Sequence, residues 1–376
     1  MRRVVRGLFA VALSIGTLTP AMHAAENTFS SGSTVFVMTN DTGKNEVLAY
    51  QRLIDGTFIL KGRFATGGRG SGGTADPLQS QGSLTLSQDS SLLFAVNAGS
   101  GTISSFHLLG GIPVLTDQEP TGGAFPVAVA EHNHVVYVLD AGGNGAIVPF
   151  RADILGRLHQ ISEDTVYLTA ANDGASAISV SPDGKTLVVI EKEPNQIDTY
   201  PINPDGTLGQ VVINKSITSG VFATVFAPNG ALIVSENQPG GTDISSISSY
   251  AVNPGGTITA ITQSIPSEGD GNCWNAITPN GKFVYVDNAG TGTIAGFSVG
   301  ANGSLTPIGG TIVATYPSDA TNLDMSISGD GQYLYTLNSG LGTVGVFHIN
   351  SDGTLTQLDD IPRLPKGVGF NGIAAL

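Results

Sequence analysis

Seven polar residues recur along the chain at intervals of 43 to 57 residues: Asn40, Asn97, Asp140, Glu191, Glu236, Asn288 and Asn338. Each closes a short apolar run, where a strand should give way to a loop. Asn and Asp cap turns with their own side chains, which is one reading of the set. Glu forms turns poorly, so Glu191 and Glu236 are the more suggestive pair. With Lys192 beside Glu191, they are candidate catalytic residues: a general base with an electrostatic partner. Oxygen ligands around a common axis could also hold Ca2+ or Mg2+. No dense acidic ligand motif accompanies them, so no metal site is assigned and no cofactor is expected.

Other candidates lie in the connecting segments. Arg69 sits in Gly67-Gly68-Arg69-Gly70-Ser71-Gly72-Gly73, which lacks Gly-Lys-Ser/Thr and precedes no helix, so it is not a phosphate-binding loop of that kind. Trp274, the only Trp, follows Cys273 in Gly271-Asn272-Cys273-Trp274. It could offer a flat apolar surface to a ring or pack between neighbouring sheets, and both readings stand. Asp324 and Lys366 occupy comparable connectors. Arg69, Trp274, Asn97, Asp140, Asn288 and Asn338 are the candidate substrate-binding residues. His132 and His134 form a His-x-His pair in place of a turn, and there is no Gly-x-Ser-x-Gly elbow.

The elements that position these residues follow from a repeat. Ile178 to Glu191, Ala276 to Asn288 and Met325 to Asn338 each read as a strand, a tight turn and a second strand. The turns include Ser181-Pro182-Asp183-Gly184 and Thr278-Pro279-Asn280-Gly281. A third strand, another Gly-containing turn and a fourth strand complete each copy. A period near 50 with four short strands predicts an all-β fold: a single seven-bladed β-propeller of four-stranded blades. The first copy lacks its first strand, and Gly372 to Leu376 match the missing phrase. The C-terminus should therefore complete the N-terminal blade and remove an open edge. Strand parity puts the ends of the second strands and the exits of the fourth strands around one mouth of the ring. The Pro-Asp-Gly turns fall on the opposite face.

Fifty-one Gly and 19 Pro beside 40% hydrophobic and 12% charged residues suit many short strands joined by tight turns. Arg2, Arg3 and Arg6, an apolar stretch from Gly7 to Leu18, and the small residues Ala21, Ala24 and Ala25 follow the order of a secretory signal. Residues 1–25 are expected to be a signal peptide and 29–376 one propeller, secreted or periplasmic. A retained anchor is the alternative reading of the leader. Cleavage would take the net charge from −14 to −17, a surface that repels phosphate backbones and anionic lipid. Nucleic acid is not an expected partner, no membrane span is expected after cleavage, and a monomer is expected. A single Cys rules out an internal disulfide.

The repeats, with their Val-Tyr-Val-x-Asn and Pro-Asp-Gly phrasing, resemble lactonase-type propellers, which include bacterial 6-phosphogluconolactonases and fungal carboxymuconate lactonising enzymes. That resemblance covers nearly all of the mature chain and implies a small lactone or carbohydrate-derived ligand. The phosphogluconolactonase-like members carry a His opening one inner strand, Gly-Pro-Arg-His opening the next, Asn-Glu at that blade's strand-two end and a later Pro-Arg. The matching stretches here read Gly174-Ala175-Ser176-Ala177, Gly220-Val221-Phe222-Ala223, Ser235-Glu236-Asn237 and Thr321-Asn322-Leu323-Asp324. Only Glu236 carries over. Without the Arg and His anchors, the resemblance points to an unphosphorylated ring, hydrolysed or lactonised outside the cytoplasm. The alternative is a non-catalytic extracytoplasmic propeller that presents its mouth to a glycan, a peptide or an envelope protein. If the leader is cleaved, intact-mass measurement of the exported protein should give a chain starting just after Ala25; a chain that retains Met1 would contradict this.

Overall fold

Turn residues interrupt the chain before most strands exceed nine residues, so each strand buries its apolar side chains against a neighbouring sheet rather than within a helix. The computed structural model describes residues 34–376 except 74–75, 163–164, 173, 239–241, 318 and 366–368. Residues 1–25, where a signal peptide is expected, and Lys366 lie outside the described residues. Among the described residues every regular element is a strand, and no helix is long and apolar enough to cross a membrane.

The strands form seven antiparallel sheets, the blades of a seven-bladed propeller. Blade 1 runs from Ile373–Ala375 through Thr34–Met38 and Glu46–Arg52 to Phe58–Ala65. The innermost strands of blades 2 to 7 are Leu84–Leu86, Pro126–His132, Ala175–Val180, Val221–Phe226, Asn272–Ile277 and Asn322–Ile327. Blade 3 adds a short fifth strand, Val166–Tyr167, which pairs with Ala146–Ala152.

The ring closes as the repeat predicts. Ala375, Ala374 and Ile373 pair with Val35, Phe36 and Val37. Met38 N–H donates to the Gly372 carbonyl and Leu376 N–H to that of Thr34, both at 3.0 Å. The C-terminal strand thus gives blade 1 its inner edge and hides backbone that would otherwise face the channel.

The core lies in the seams between blades, because alternate residues of each second strand face opposite neighbours. In Phe283–Asn288, Val284 and Val286 pack with Ile233 of blade 5, while Tyr285 turns to blade 7. Its hydroxyl donates to the Gly353 carbonyl there at 2.8 Å, and Tyr137 of blade 3 does the same to Gly206 of blade 4 at 3.0 Å. These buried phenols bring apolar area to the seam and spend their one polar atom on the next blade's hairpin. That hairpin needs its glycine, since Gly353 has φ 86°.

A chain ending at Asn371 loses three strand residues that are at most 6% exposed and bares the edge of Thr34–Met38. At about 25 cal/mol per Å2 of apolar surface this should cost several kcal/mol. We expect its melting temperature to fall by at least ~5 °C, with ~1 kcal/mol moving a domain of this size by roughly 2 °C. A melting temperature within a degree of the chain that keeps Gly372 to Leu376 would contradict the clasp.

Candidate functional site

The seven strand-two ends gather on one face, but their side chains do not surround an open mouth. Asn40, Asn97, Asp140, Glu191, Glu236, Asn288 and Asn338 are all 0–1% exposed. The expected ring of mouth-lining groups is corrected here: most of them latch one blade to the next. The hydroxyls of Thr66, Thr121, Thr169 and Ser216 follow the outer strands of blades 1 to 4. They donate to Asn97, Asp140, Glu191 and Glu236 of the following blades, at 2.6, 3.0, 2.8 and 3.3 Å. At the next seam the direction reverses, and Asn288 Nδ2 donates to the Ser267 carbonyl at 3.0 Å. Asn338 instead accepts from Asn322 Nδ2 at 2.7 Å within its own blade.

The glycine-rich connector serves the same packing. Asn97 leaves no room for a Cβ at Gly68, which would lie 2.4 Å from its Cγ, and the Asn40 backbone leaves none at Gly70. Arg69 is exposed at this blade 1–2 crossing, where its N–H donates to Ser100 Oγ at 3.0 Å.

Trp274 is 1% exposed, so the structure selects the packing reading over the flat surface. Its indole N–H donates to the Ser80 carbonyl at 2.9 Å, and its ring meets Phe222 edge-on at 5.4 Å between centroids. Ser80 belongs to a strap leading into the inner strand of blade 2, and this strap crosses the channel. Gln81 N–H donates to the Ser176 carbonyl of blade 4, and Gln81 Oε1 accepts from Asn275 N–H of blade 6, each at 2.9 Å. Ser80 Oγ reaches the Val127 carbonyl of blade 3 at 2.9 Å. The protein's own chain therefore fills the axis at this face.

What remains open is displaced from the axis. A pocket of about 430 Å3 lies between blades 4 and 5, lined by Gln79, Lys192, Glu193, Asn195, Phe222 and Asn237 among others. Lys192 and Asn237 are the residues immediately after the buried latches Glu191 and Glu236. Lys192 Nζ donates to the Gln79 carbonyl at 3.1 Å and to Gln79 Oε1 at 3.2 Å, and stands 5.1 Å over the Phe222 ring. Asp76 Oδ1 fixes the strap by accepting from Gln79 N–H at 3.0 Å and from Asn371 Nδ2 at 3.2 Å. Asp76 and Gln79 both adopt left-handed backbone, φ 36° and 49°, a conformation that costs non-glycine residues on the order of 1–3 kcal/mol. Only Lys192 of the sequence-derived candidates lines this pocket. Gln79, Glu193 and Asn237 carried no repeat or motif signal, although adjacency to a strand-two end could have marked Glu193 and Asn237.

Burial dominates the electrostatics. It raises the Asp76 carboxyl to about 6 against the opposing pull of Lys192, and burial lowers Lys192 against the charge of Asp76. The Cys273 thiol is pushed up by burial, with Asp76 and Asp287 adding to the effect. Asp140 rises to about 7 through burial despite its Thr121 hydrogen bond. Asp198 also rises to about 7, through burial and then the charge of Glu191. Asp324 rises to about 8 by burial, even though it accepts from Met325 and Ile373 N–H at 2.9 and 3.3 Å. Glu236 is raised by burial and held back by its hydroxyl donors, of which Ser246 is nearest at 2.7 Å. Among the described residues, no group of three or more His, Cys, Asp or Glu could hold a metal ion.

The opposite face, where the Pro-Asp-Gly turns lie, carries its own clefts. His132 lines one of about 400 Å3 with Arg151, Asp183 and Lys185. Parity thus separates the two histidines from Lys192 as expected.

Residues 245–371 match the family described as lactonase, 7-bladed beta-propeller. No curated protein matches the sequence. Similar solved structures include a candidate 6-phosphogluconolactonase from Bacteroides fragilis, at 18% identity and TM-score 0.66 over 91% of this chain and 99% of that one. A periplasmic gluconolactonase from Pseudomonas aeruginosa matches at 17% identity and TM-score 0.64 over 90% and 99%. The virginiamycin B lyase of Staphylococcus aureus, at 17% and 0.53 over 77% and 86%, shares the fold as well. The resemblance to lactonase-type propellers read from the repeats is borne out.

Several buried carboxyls keep a proton in the folded chain at a pH where the unfolded chain, titrating near 3.8, has lost it. Their contribution to stability is therefore complete below about pH 4 and falls away as pH rises towards about 8. Calorimetry should show a higher melting temperature at pH 5 than at pH 8, by at least ~3 °C on the scale of roughly 2 °C per kcal/mol. Asp198→Asn should flatten that slope. A melting temperature that climbs from pH 5 to pH 8 would contradict the assignment.

Proposed function

We propose that this chain, a lactonase-type seven-bladed propeller, hydrolyses a small unphosphorylated lactone in the pocket between blades 4 and 5 of its mouth face. The observation that supports this reading is the setting of Lys192. It is a half-buried cation held by Gln79 in a pocket otherwise walled by amides, one exposed carboxylate and the Phe222 ring. Amides and an aromatic wall suit a hydroxylated ring, and one ammonium suits a single developing negative charge.

In this mechanism Glu193, which is exposed in the pocket, takes a proton from water as the oxygen attacks the lactone carbonyl carbon. The tetrahedral oxyanion forms opposite Lys192. The ring C–O bond then breaks, the proton passes to the departing alkoxide, and a hydroxy acid leaves. Glu191 and Glu236 remain buried partners of Thr169 and Ser216 and support the strand ends from which Lys192 and Asn237 project. A single lysine offers less for a phosphate than the Arg and His residues this chain lacks, which favours an unphosphorylated ring. We also propose an extracytoplasmic location, secreted or periplasmic, from the basic, apolar and small-residue order of residues 1–25.

A panel of phosphorylated and unphosphorylated lactones, assayed with the mature protein with and without EDTA, tests the reading. Turnover of an unphosphorylated lactone is expected. Lys192→Met should then lower kcat/KM by about 100-fold, on the order of losing one oxyanion donor, while His132→Ala should stay within about twofold of the parent. Silence across the panel, or a His132→Ala defect larger than that of Lys192→Met, would overturn the proposal.

A further inference from the structure

The strap across the channel joins the C-terminal clasp to the Lys192 pocket through one carboxylate. Asn371 is 0% exposed; its Oδ1 accepts from Ser83 Oγ at 3.1 Å, and its Nδ2 donates to Asp76 Oδ1 at 3.2 Å. The same Asp76 oxygen accepts from Gln79 N–H at 3.0 Å, across a turn whose ends both have positive φ. Gln79 then presents its backbone carbonyl and its Oε1 to Lys192 Nζ, at 3.1 and 3.2 Å. An ammonium has three N–H donors. Gln79 takes two, which leaves one for a ligand in the cavity that Lys192 and Gln79 line.

A turn alone does not call for an acid at this position. Asn closes such turns as well as Asp does, without a charge to desolvate. Both donors to Asp76 are neutral amides, burial disfavours its ionised form, and it stands near enough to Asp324 to raise that carboxyl further. What offsets these costs is Lys192, whose charge favours the ionised Asp76. The attraction is mutual. Among the groups that favour the protonated lysine, Asp76 comes first, ahead of Cys273 and Glu193.

We propose that Asp76 is a positioning residue of the Lys192 pocket: its carboxylate fixes the strap so that Gln79 holds two Lys192 N–H groups and leaves the third to the cavity, and its negative charge favours the ammonium over the free amine. The inference rests on the reading of this pocket as the lactone site, and it names what keeps the cation of that site charged and aimed. An oxyanion gains from an ammonium what a neutral amine does not supply. Asp76 itself touches no ligand and acts through Gln79 and Lys192.

Trace acetylation of the folded chain with acetic anhydride over a series of pH values, read by peptide mass spectrometry, follows the Lys192 titration without any substrate. Asp76→Asn keeps an acceptor of the same shape and removes the charge, so the Lys192 midpoint should move to lower pH. The alkaline limb of kcat/KM on an unphosphorylated lactone of the panel should move the same way. At about pH 5 the parent's own Asp76, raised to about 6, is largely protonated, so parent and Asp76→Asn should run alike there. Asp76→Ala also frees Gln79 and should lower kcat/KM at every pH, by roughly tenfold or more. A carboxylate that only closes the turn would leave the Lys192 midpoint of Asp76→Asn where the parent has it, and that result overturns the proposal. So does an Asp76→Ala chain with the parent's kinetics. If the panel stays silent, the labelling still decides: a midpoint that moves upholds Asp76 as the group that sets Lys192 and faults only the lactone reading, whereas one that stays overturns the proposal.

Discussion

The hydroxyl that leaves one blade and seizes the strand-two end of the next is the contact on which the mouth face depends. Thr66, Thr121, Thr169 and Ser216 each place an O–H against a polar group of the following blade. A propeller has no helix to tie its sheets together, so every seam must join two apolar faces and also satisfy the polar groups where the strands end. The latch does the second task. It buries Asp140, Glu191 and Glu236, whose carboxyls must then be neutral or fully hydrogen-bonded. What faces solvent is the residue after the latch, so Lys192 and Asn237 reach the pocket where Glu191 and Glu236 do not.

Closure and filling of the ring set the second constraint. The C-terminal strand completes blade 1, and Asn371, just before it, bonds both Ser83 Oγ and Asp76. The strap that contains Asp76, Gln79, Ser80 and Gln81 is thereby tied to the clasp as well as to blades 3, 4 and 6. A ligand on this face meets that strap rather than an empty tunnel, and the open volume beside Lys192 lies off the axis. The left-handed backbone at Asp76 and Gln79 is tolerated because both ends of the strap are held.

The blade count, the clasp and the division of the two faces were legible in the sequence, because each follows from local signals repeated seven times. The apolar run, the Pro-Asp-Gly turn and the Asn or Glu at a strand end are short-range features, and parity alone assigns their faces. The direction of a side chain at a strand end was not legible. Glu191 looks like a poor turn former and a promising base, yet Thr169 in the preceding connector claims it. Trp274 was ambiguous for a similar reason, since its partner Ser80 lies 194 residues away. Nothing local to either segment reveals that contact.

Latches that bury the strand-end carboxylates, and a strap that fills the axis, leave a held cation in the blade 4–5 pocket, the place on the mouth face that we propose for a small acid or its lactone. The most direct measurement is a crystal structure of the protein with the ring-opened hydroxy acid of an unphosphorylated lactone from the proposed panel. The acid should lie in that pocket against Phe222, with its carboxylate about 3 Å from Lys192 Nζ, as a charge-assisted hydrogen bond requires. An acid bound instead in the Pro-Asp-Gly-face cleft beside His132 and Arg151, with the Lys192 pocket holding only water, would contradict the account.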